Sequence, residues 1–310
     1  MNQSDASPHV ECANTQPMET TEITTNAVHE QDLVSSPTDI AVFLTQAIID
    51  GKEQQVLDQL NDTNIKCRIN DRIPMDFLTC HNLGSDMEWT SAIDSAVLWS
   101  SLKEVRALVS AGASVYHINS WGLSALHSVC GASQHQMEKL SYFVELDKDL
   151  VQSTDTKERT CLHVAAAWKQ LEICNALLQH GADIHARDDD GATCVHYATS
   201  GNRPKILDFL LKHGAHIDAC TNDGIYPIHY SAYFGATEAL IYLLEKGVDI
   251  NCPERDTQDR QLHLAAKKGQ TRCVQELLKR GTSVNLMNKN GMLYCIYITK
   301  CVRNVNISNL

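Results

Sequence analysis

No lysine or arginine occurs in residues 1–51, although eight carboxylates do. That stretch carries −8 of the chain's formal −12, so the rest of the 310 residues carries only about −4. Duplex nucleic acid is excluded as an expected partner, because phosphate binding needs clustered Lys and Arg. No apolar run approaches the ~20 residues that span a bilayer, and Met1–Val10 is polar and acidic where a secretory leader would be cationic and then apolar. The expectation is a chain with no membrane partner, cytoplasmic or nuclear. None of the twelve cysteines forms a C-x-x-C pair, so they read as small buried apolar groups in a reducing compartment and not as a disulfide framework. The sequence holds no G-x-S-x-G, no G-x-x-x-x-G-K-[ST] and no H-E-x-x-H, which leaves no catalytic signature and no implied cofactor.

One stretch does resemble chemistry. "DDDGATCVHYA" places Asp188, Asp189, Asp190, Cys194 and His196 close together, and zinc accepts all three ligand types. The stretch, however, recurs. "LSALHSV" holds His127, "RTCLHVA" His163, "ATCVHYA" His196, "IYPIHYS" His229 and "DRQLHLA" His263, at intervals of 36, 33, 33 and 34 residues. A second marker keeps the same step: Gly181 in "ALLQHGADI", Gly214 in "FLLKHGAHI", Gly247 in "YLLEKGVDI" and Gly281 in "ELLKRGTSV". Upstream, "TSAIDSAVLWSSLKEVRALVSAGASV" has Asp94 in the histidine position and Gly112 in the glycine position, and "AVFLTQAIIDGKEQQVLDQL" is a fainter copy.

Each unit can be read from its residues. Asp190-Gly191, Asp223-Gly224 and Asn290-Gly291 are turn chemistry. Thr193, Thr160 and Ser124 offer hydroxyl N-caps, and Pro227 suits a first helical position. A short helix with small inner residues (Ala165, Ala166, Ala198) precedes one with an apolar face of Ile206, Leu207, Leu210 and Leu211. Gly214 then ends the second helix in the left-handed conformation. Helices this short are marginal alone, so each unit must cover its apolar face with the next. Equivalent histidines then stand one layer apart, roughly 10 Å. That is too far to share an ion whose bonds are near 2 Å. The imidazoles read as locks between units, and no metal site is expected.

These residues resemble the ankyrin repeat, a turn followed by "G-x-T-P-L-H-x-A-A", two short helices and "L-L-x-x-G-A". The resemblance implies an all-α ankyrin-repeat helical solenoid with β-turn or hairpin tips, about six repeats plus degenerate ends. The expected division is an acidic disordered tail (1–38), a degenerate N-terminal repeat (39–65), an irregular insert (66–85), repeats at 86–118, 119–154, 155–187, 188–220, 221–253 and 254–287, and a truncated last repeat with its tail (288–310). Two departures stand out. Glu158 replaces the turn glycine, and the unit at 119–154 lacks its closing glycine, for which Asp147 or Asp149 is the expected substitute.

The resemblance further implies a non-catalytic binding module that holds a protein or peptide on its concave face and turn tips. Carried over by position, the partner-binding residues are Trp99, Trp168, Tyr233, Phe234, Lys267 and Lys268 on the first helices, with Trp121 at a tip. Two readings of the rings stand: they cover gaps between units, or they anchor a partner, since aromatic anchors dominate interface energetics. With Lys267–Lys268 at one end, the expected partner is an acidic or amphipathic peptide, and the expected state is a monomer. Asn251, in "LLEKGVDIN", occupies a position where asparagines of such repeats are hydroxylated; a solvated turn residue is the alternative. Two other functions remain: a substrate-recruiting subunit of a ubiquitin ligase, for which residues 288–310 lack the Leu-x-x-x-Cys helix, and the ankyrin portion of a longer enzyme or channel.

Overall fold

In the computed structural model, which describes residues 37–74, 89–132 and 136–293, nearly every element is a short helix. After α1 (Pro37–Ile49), α2 (Glu53–Gln59) and α3 (Thr63–Arg68), helices come in pairs. The first members are α4 (Ala92–Trp99), α6 (Ala125–Ala132), α8 (Cys161–Ala167), α10 (Cys194–Ser200), α12 (Pro227–Phe234) and α14 (Gln261–Lys267). The second members are α5 (Leu102–Ser110), α7 (Gln136–Leu146), α9 (Leu171–Gln179), α11 (Pro204–Lys212), α13 (Thr237–Glu245) and α15 (Thr271–Lys279). First helices pack on first helices along the row, α4 on α6 through to α12 on α14, and each also packs on its own second helix. The result is an all-α solenoid.

Why the helices stop and start is legible locally. Thr193 N–H donates to His196 Nδ1 at 3.1 Å, and Thr160 N–H to His163 Nδ1 at 3.0 Å, so the histidine three residues into the helix does what Glu or Gln does in a capping box. Since a backbone N–H only donates, Nδ1 is the acceptor and the ring proton sits on Nε2. That proton reaches the following unit: His127 Nε2 bonds Arg159 O at 2.8 Å, His196 Ile225 O at 3.1 Å, His229 Cys252 O at 2.9 Å and His263 Met292 O at 3.1 Å. Four of the five repeat histidines are thus inter-unit locks, whereas His163 Nε2 is buried with no hydrogen-bond partner. At the other end of the unit Gly214 takes φ +98°, open to an L residue only with strain. Glu158 and Gln258, standing where the turns at Gly191 and Gly224 have glycine, adopt φ +56° and +57°.

The core runs unbroken from α1 to α13, through Leu44, Ile93, Leu126, Phe143, Leu162, Leu177, Leu207 and Leu210, all essentially without exposure. A second cluster, including Ile228, Leu240, Leu262, Val274 and Leu277, continues it. The cysteine expectation can be checked against burial: Cys130, Cys161, Cys174, Cys194 and Cys273 are buried, whereas Cys220 and Cys252 are half-buried and Cys67 is exposed.

The turns hold one more regularity. Asn119 Oδ1 accepts from the N–H of Trp121 (3.0 Å) and Leu123 (3.1 Å); Asp155 Oδ1 from Lys157 (2.8 Å) and Arg159 (2.9 Å); Asn288 Oδ1 from Asn290 (3.0 Å) and Met292 (2.9 Å). Asp188 belongs to this series, with Oδ1 accepting from Ala192 N–H at 2.7 Å. Backbone bonds then tie tip to tip: Thr156 N–H to Gly122 O, Asp189 to Lys157, Asn222 to Asp190 and Lys289 to Thr257, at 2.9–3.2 Å.

Several features differ from the sequence reading. Asp147 does not take the place of a closing glycine: its φ is −156°, and it caps a 3-10 turn (Lys148–Gln152) by accepting from Asp149 N–H at 2.9 Å. The added length of the unit lies in its helices: α6 has 8 residues and α7 has 11, against 7 in α8 and 9 in α9. α3 runs across the boundary at which the irregular insert was expected to begin, and β1 (Ile73–Pro74) pairs antiparallel with β2 (Trp89–Thr90), Ile73 opposite Thr90. The rest of that insert (75–85), the start of the 86–118 repeat (86–88), residues 1–36, 133–135 and 294–310 lie outside the described residues.

Asp94 carries an expected cost. It replaces the lock histidine, takes Ser91 Oγ–H at 2.7 Å, and leaves Oδ1 buried with no partner. Burial raises its pKa from 3.8 to about 6, against the lowering effect of the Ser91 bonds. A raised folded pKa contributes stability at low pH that is lost as pH climbs from about 4 through about 6. At pH 7.5 the shift is worth roughly 3 kcal/mol at most. Asp94→Asn is therefore expected to stabilise the fold by about 1–3 kcal/mol at pH 7.5 and not at pH 4. Equal urea midpoints for the two proteins at pH 7.5 would rule the effect out.

Candidate functional site: an aromatic strip across the first helices

α12 is the only first helix among the described residues with three aromatic residues on or near its open face. Tyr230, Tyr233 and Phe234 are each half-buried. Tyr230 and Phe234 are one helical turn apart (i, i+4), and their ring centroids lie 5.7 Å from each other. Tyr233 meets Phe234 edge-on at 4.9 Å. From the next unit, Lys268 Nζ stands 4.2 Å over the Tyr233 ring, a distance at which the ammonium is attracted to the ring face. Lys267 is exposed beside it, and its charge reaches buried Glu254.

At its other end the strip meets the turn tips. The His196 ring packs edge-on against Tyr230 at 5.0 Å, as His163 does against Tyr197 at 5.2 Å. Tyr197 and Tyr230 both follow the lock histidine, but their surroundings differ. Tyr197 O–H donates to Asp188 Oδ2 at 2.7 Å, and burial among the carboxylates pushes it far above the usual phenol range. In the Tyr230 unit the Asp188 position is Thr221, whose hydroxyl already accepts Ile225 N–H at 3.1 Å. Tyr230 instead lies in the field of Asp188, Asp190 and Asp223, and its pKa is raised by burial first and by those carboxylates after. Asp190 is itself raised, by burial and then by Asp189, Asp188 and Asp223, with Lys157 the one opposing charge.

The sequence-derived candidates are thus only partly gathered. Tyr233, Phe234, Lys267 and Lys268 form one place. Trp99 is half-buried at the end of α4, Trp168 is 41% exposed just past α8, and Trp121 is 38% exposed at its tip. Among the described residues no ring contact links these three to the strip. Asn251 spans two units: its Oδ1 accepts Thr282 Oγ1–H at 2.9 Å and Ser283 N–H at 3.0 Å. Tyr230 went unselected on sequence, although "VHYA" and "IHYS" carry an aromatic at the same place. Among the described residues no group of three or more His, Cys, Asp and Glu could hold a metal ion, and no helix is long and apolar enough to cross a membrane.

Paired short helices, capped in α8 and α10 by a Thr-x-x-His box and joined by hairpin tips, define a stacked-repeat protein. The comparisons identify which one: a family model of ankyrin repeats in many copies matches residues 162–211 and 202–244, a single ankyrin-repeat model matches 262–289, and the chain is an ankyrin-repeat protein. A 59-residue stretch is 39% identical to part of "Palmitoyltransferase akr1" of Schizosaccharomyces pombe; it covers 19% of this chain and 9% of that protein.

Proposed function

We propose that the chain is a non-catalytic adaptor or scaffold that holds a protein or peptide against its first helices and turn tips. One observation carries the reading: the contiguous run of Tyr230, Phe234 and Tyr233, half-buried and backed by Lys268, on a rigid row of helices. Rings held by packing lose little entropy on binding, and hot spots are rich in such residues. Trp99, Trp121 and Trp168 extend the contact surface toward the N-terminal units, and Lys267 and Lys268 supply its cationic end. With a partner obtained by affinity purification, Phe234→Ala is expected to weaken binding at least about tenfold while the far-UV circular dichroism is unchanged. An unchanged affinity for both Phe234→Ala and Trp168→Ala would sink the assignment.

A second reading, an ankyrin portion of a longer acyltransferase, is favoured by the match to the palmitoyltransferase. A transcript that reads beyond codon 310 into a catalytic segment would support it. For Asn251, the bonds from Thr282 and Ser283 support a bridging role. A side-chain oxygen added there would be detected by mass spectrometry of the purified chain.

A further inference from the structure

The aromatic strip has exposed carboxylates at one end and exposed ammonium groups at the other; the tip cations Arg187 and Arg255 turn their guanidinium groups to backbone carbonyls, Cys220 O at 2.6 Å and Asn222 O at 3.5 Å. Asp189, Asp190 and Asp223 are exposed at the tips, and among the described residues none of them is in an ion pair. Lys267 and Lys268, exposed at the far end, are likewise outside every described ion pair. Between the two ends lie only rings, in steps of 5.7, 4.9 and 4.2 Å from Tyr230 through Phe234 and Tyr233 to the Lys268 ammonium. A uniformly acidic peptide would suit the lysines and meet repulsion at the tips. A uniformly basic one would meet it at the lysines. Like charges opposed across an interface exclude a partner more effectively than an added attraction selects one.

Resting on the binding reading above, we propose that the strip takes an extended peptide segment with a basic side chain at one end, an apolar side chain over Phe234 and an acidic side chain at the other end. Three such steps are the reach of about four residues of extended chain at roughly 3.3 Å each. In an extended chain residues i, i+2 and i+4 share a face, so the recognised pattern is basic–x–apolar–x–acidic, in either chain direction. The basic group lies against Asp190 and Asp223 beside the Tyr230 ring. The carboxylate lies against Lys267 and Lys268.

The test is a fully randomised twelve-residue displayed library panned on the whole chain, with enriched peptides remeasured by fluorescence polarisation. The expected pool carries the basic–x–apolar–x–acidic pattern. Asp190→Asn with Asp223→Asn should weaken such peptides about tenfold and abolish the preference for a basic residue; Lys267→Gln with Lys268→Gln should do the same for the acidic one. Circular dichroism of each variant establishes that it is folded. Peptides that need Phe234 yet show no basic residue, or are indifferent to the Asp190/Asp223 variant, would overturn the dipolar pattern and leave the adaptor reading standing. A pool that binds equally well to Phe234→Ala would overturn both.

Discussion

Acidification from pH 7.5 to 5 is expected to destabilise the solenoid by several kcal/mol, through three buried repeat histidines. Burial lowers the pKa of His163 and His229 from 6.5 to about 4 and that of His196 to about 3. The backbone carbonyls that receive Nε2–H of His196 and of His229 work in the other direction without restoring it. A depressed folded pKa in a base means that the unfolded chain takes up the proton first. Stability is therefore full above pH 6.5 and is lost as pH falls from 6.5 toward about 4. By pH 5 each of the three has forfeited about 2 kcal/mol. Groups with raised pKa work the other way: Asp94 returns about 1–2 kcal/mol over the same range, and His127, Asp188, Asp190 and Glu254 are raised as well. The histidine shifts are the larger, and the net change is a loss. The loss is a large fraction of the 5–15 kcal/mol by which domains are ordinarily stable.

Urea titrations followed by circular dichroism at pH 7.5, 6 and 5 measure this directly. His196→Gln separates the titration from the architecture. Gln at this helix position can keep the reciprocal bond to Thr193 but cannot be protonated near neutrality. The variant is expected to be about 1–2 kcal/mol less stable at pH 7.5, having lost the bond to Ile225 O, and to show about a third less loss on acidification. Midpoints that do not change between pH 7.5 and 5, or an unaltered slope in His196→Gln, would refute the mechanism.

Gly201→Ala is the second large effect, and here two principles predict opposite signs. Gly201 follows α10 with a φ of −72°, so alanine meets no backbone strain, and replacing glycine in or near a helix ordinarily gains up to about 1 kcal/mol. Packing opposes this. A Cβ at Gly201 would lie 2.4 Å from Ala167 O, 3.1 Å from its carbonyl carbon and 3.2 Å from its Cα. All three atoms are backbone of the preceding first helix, and they cannot rotate away as a side chain can. The same carbonyl accepts Arg203 Nε–H at 3.1 Å, a bond that would be displaced. Overpacking costs about 1–3 kcal/mol and the lost charged bond about 1.5–3, so a net destabilisation of about 2–4 kcal/mol is expected. Gly131→Ala is the control. Its Cβ would meet only Val164 Cγ1, at 3.7 Å, an ordinary contact, and stability should be unchanged or slightly higher. If Gly201→Ala proved as stable as Gly131→Ala by thermal melting, the close approach of α8 and α10 would be wrong.

The period, the two helices per unit, the caps and the turn glycines were all legible in the sequence, because each depends on residues within about one helical turn of one another. His196 illustrates this: its spacing from Thr193 already implies the capping bond. The role of Asp188 was legible only as "turn", since its second bond, from Tyr197, needs the helix nine residues on to fold back. Lys139 was not legible. It lies in α7 with no exposure, donates to Val97 O at 2.6 Å, and has its pKa lowered to about 8 by burial, yet on sequence it is one more solvated lysine. The candidate site divides in the same way. Tyr233, Phe234, Lys267 and Lys268, and the tip residues Asp189, Asp190 and Asp223, could be chosen by position within the unit, but that Tyr230 joins them could not.

By itself, the sequence determined that this chain must stack: its helices are too short to stand alone and its apolar faces recur once per unit. Tertiary structure decided which rings of different units meet, which glycine touches a neighbouring backbone and which charges are left unpaired. Those outcomes depend on the rotation and rise from one unit to the next. That displacement is set by packing across the interface, so a periodic sequence specifies that it exists without specifying its size.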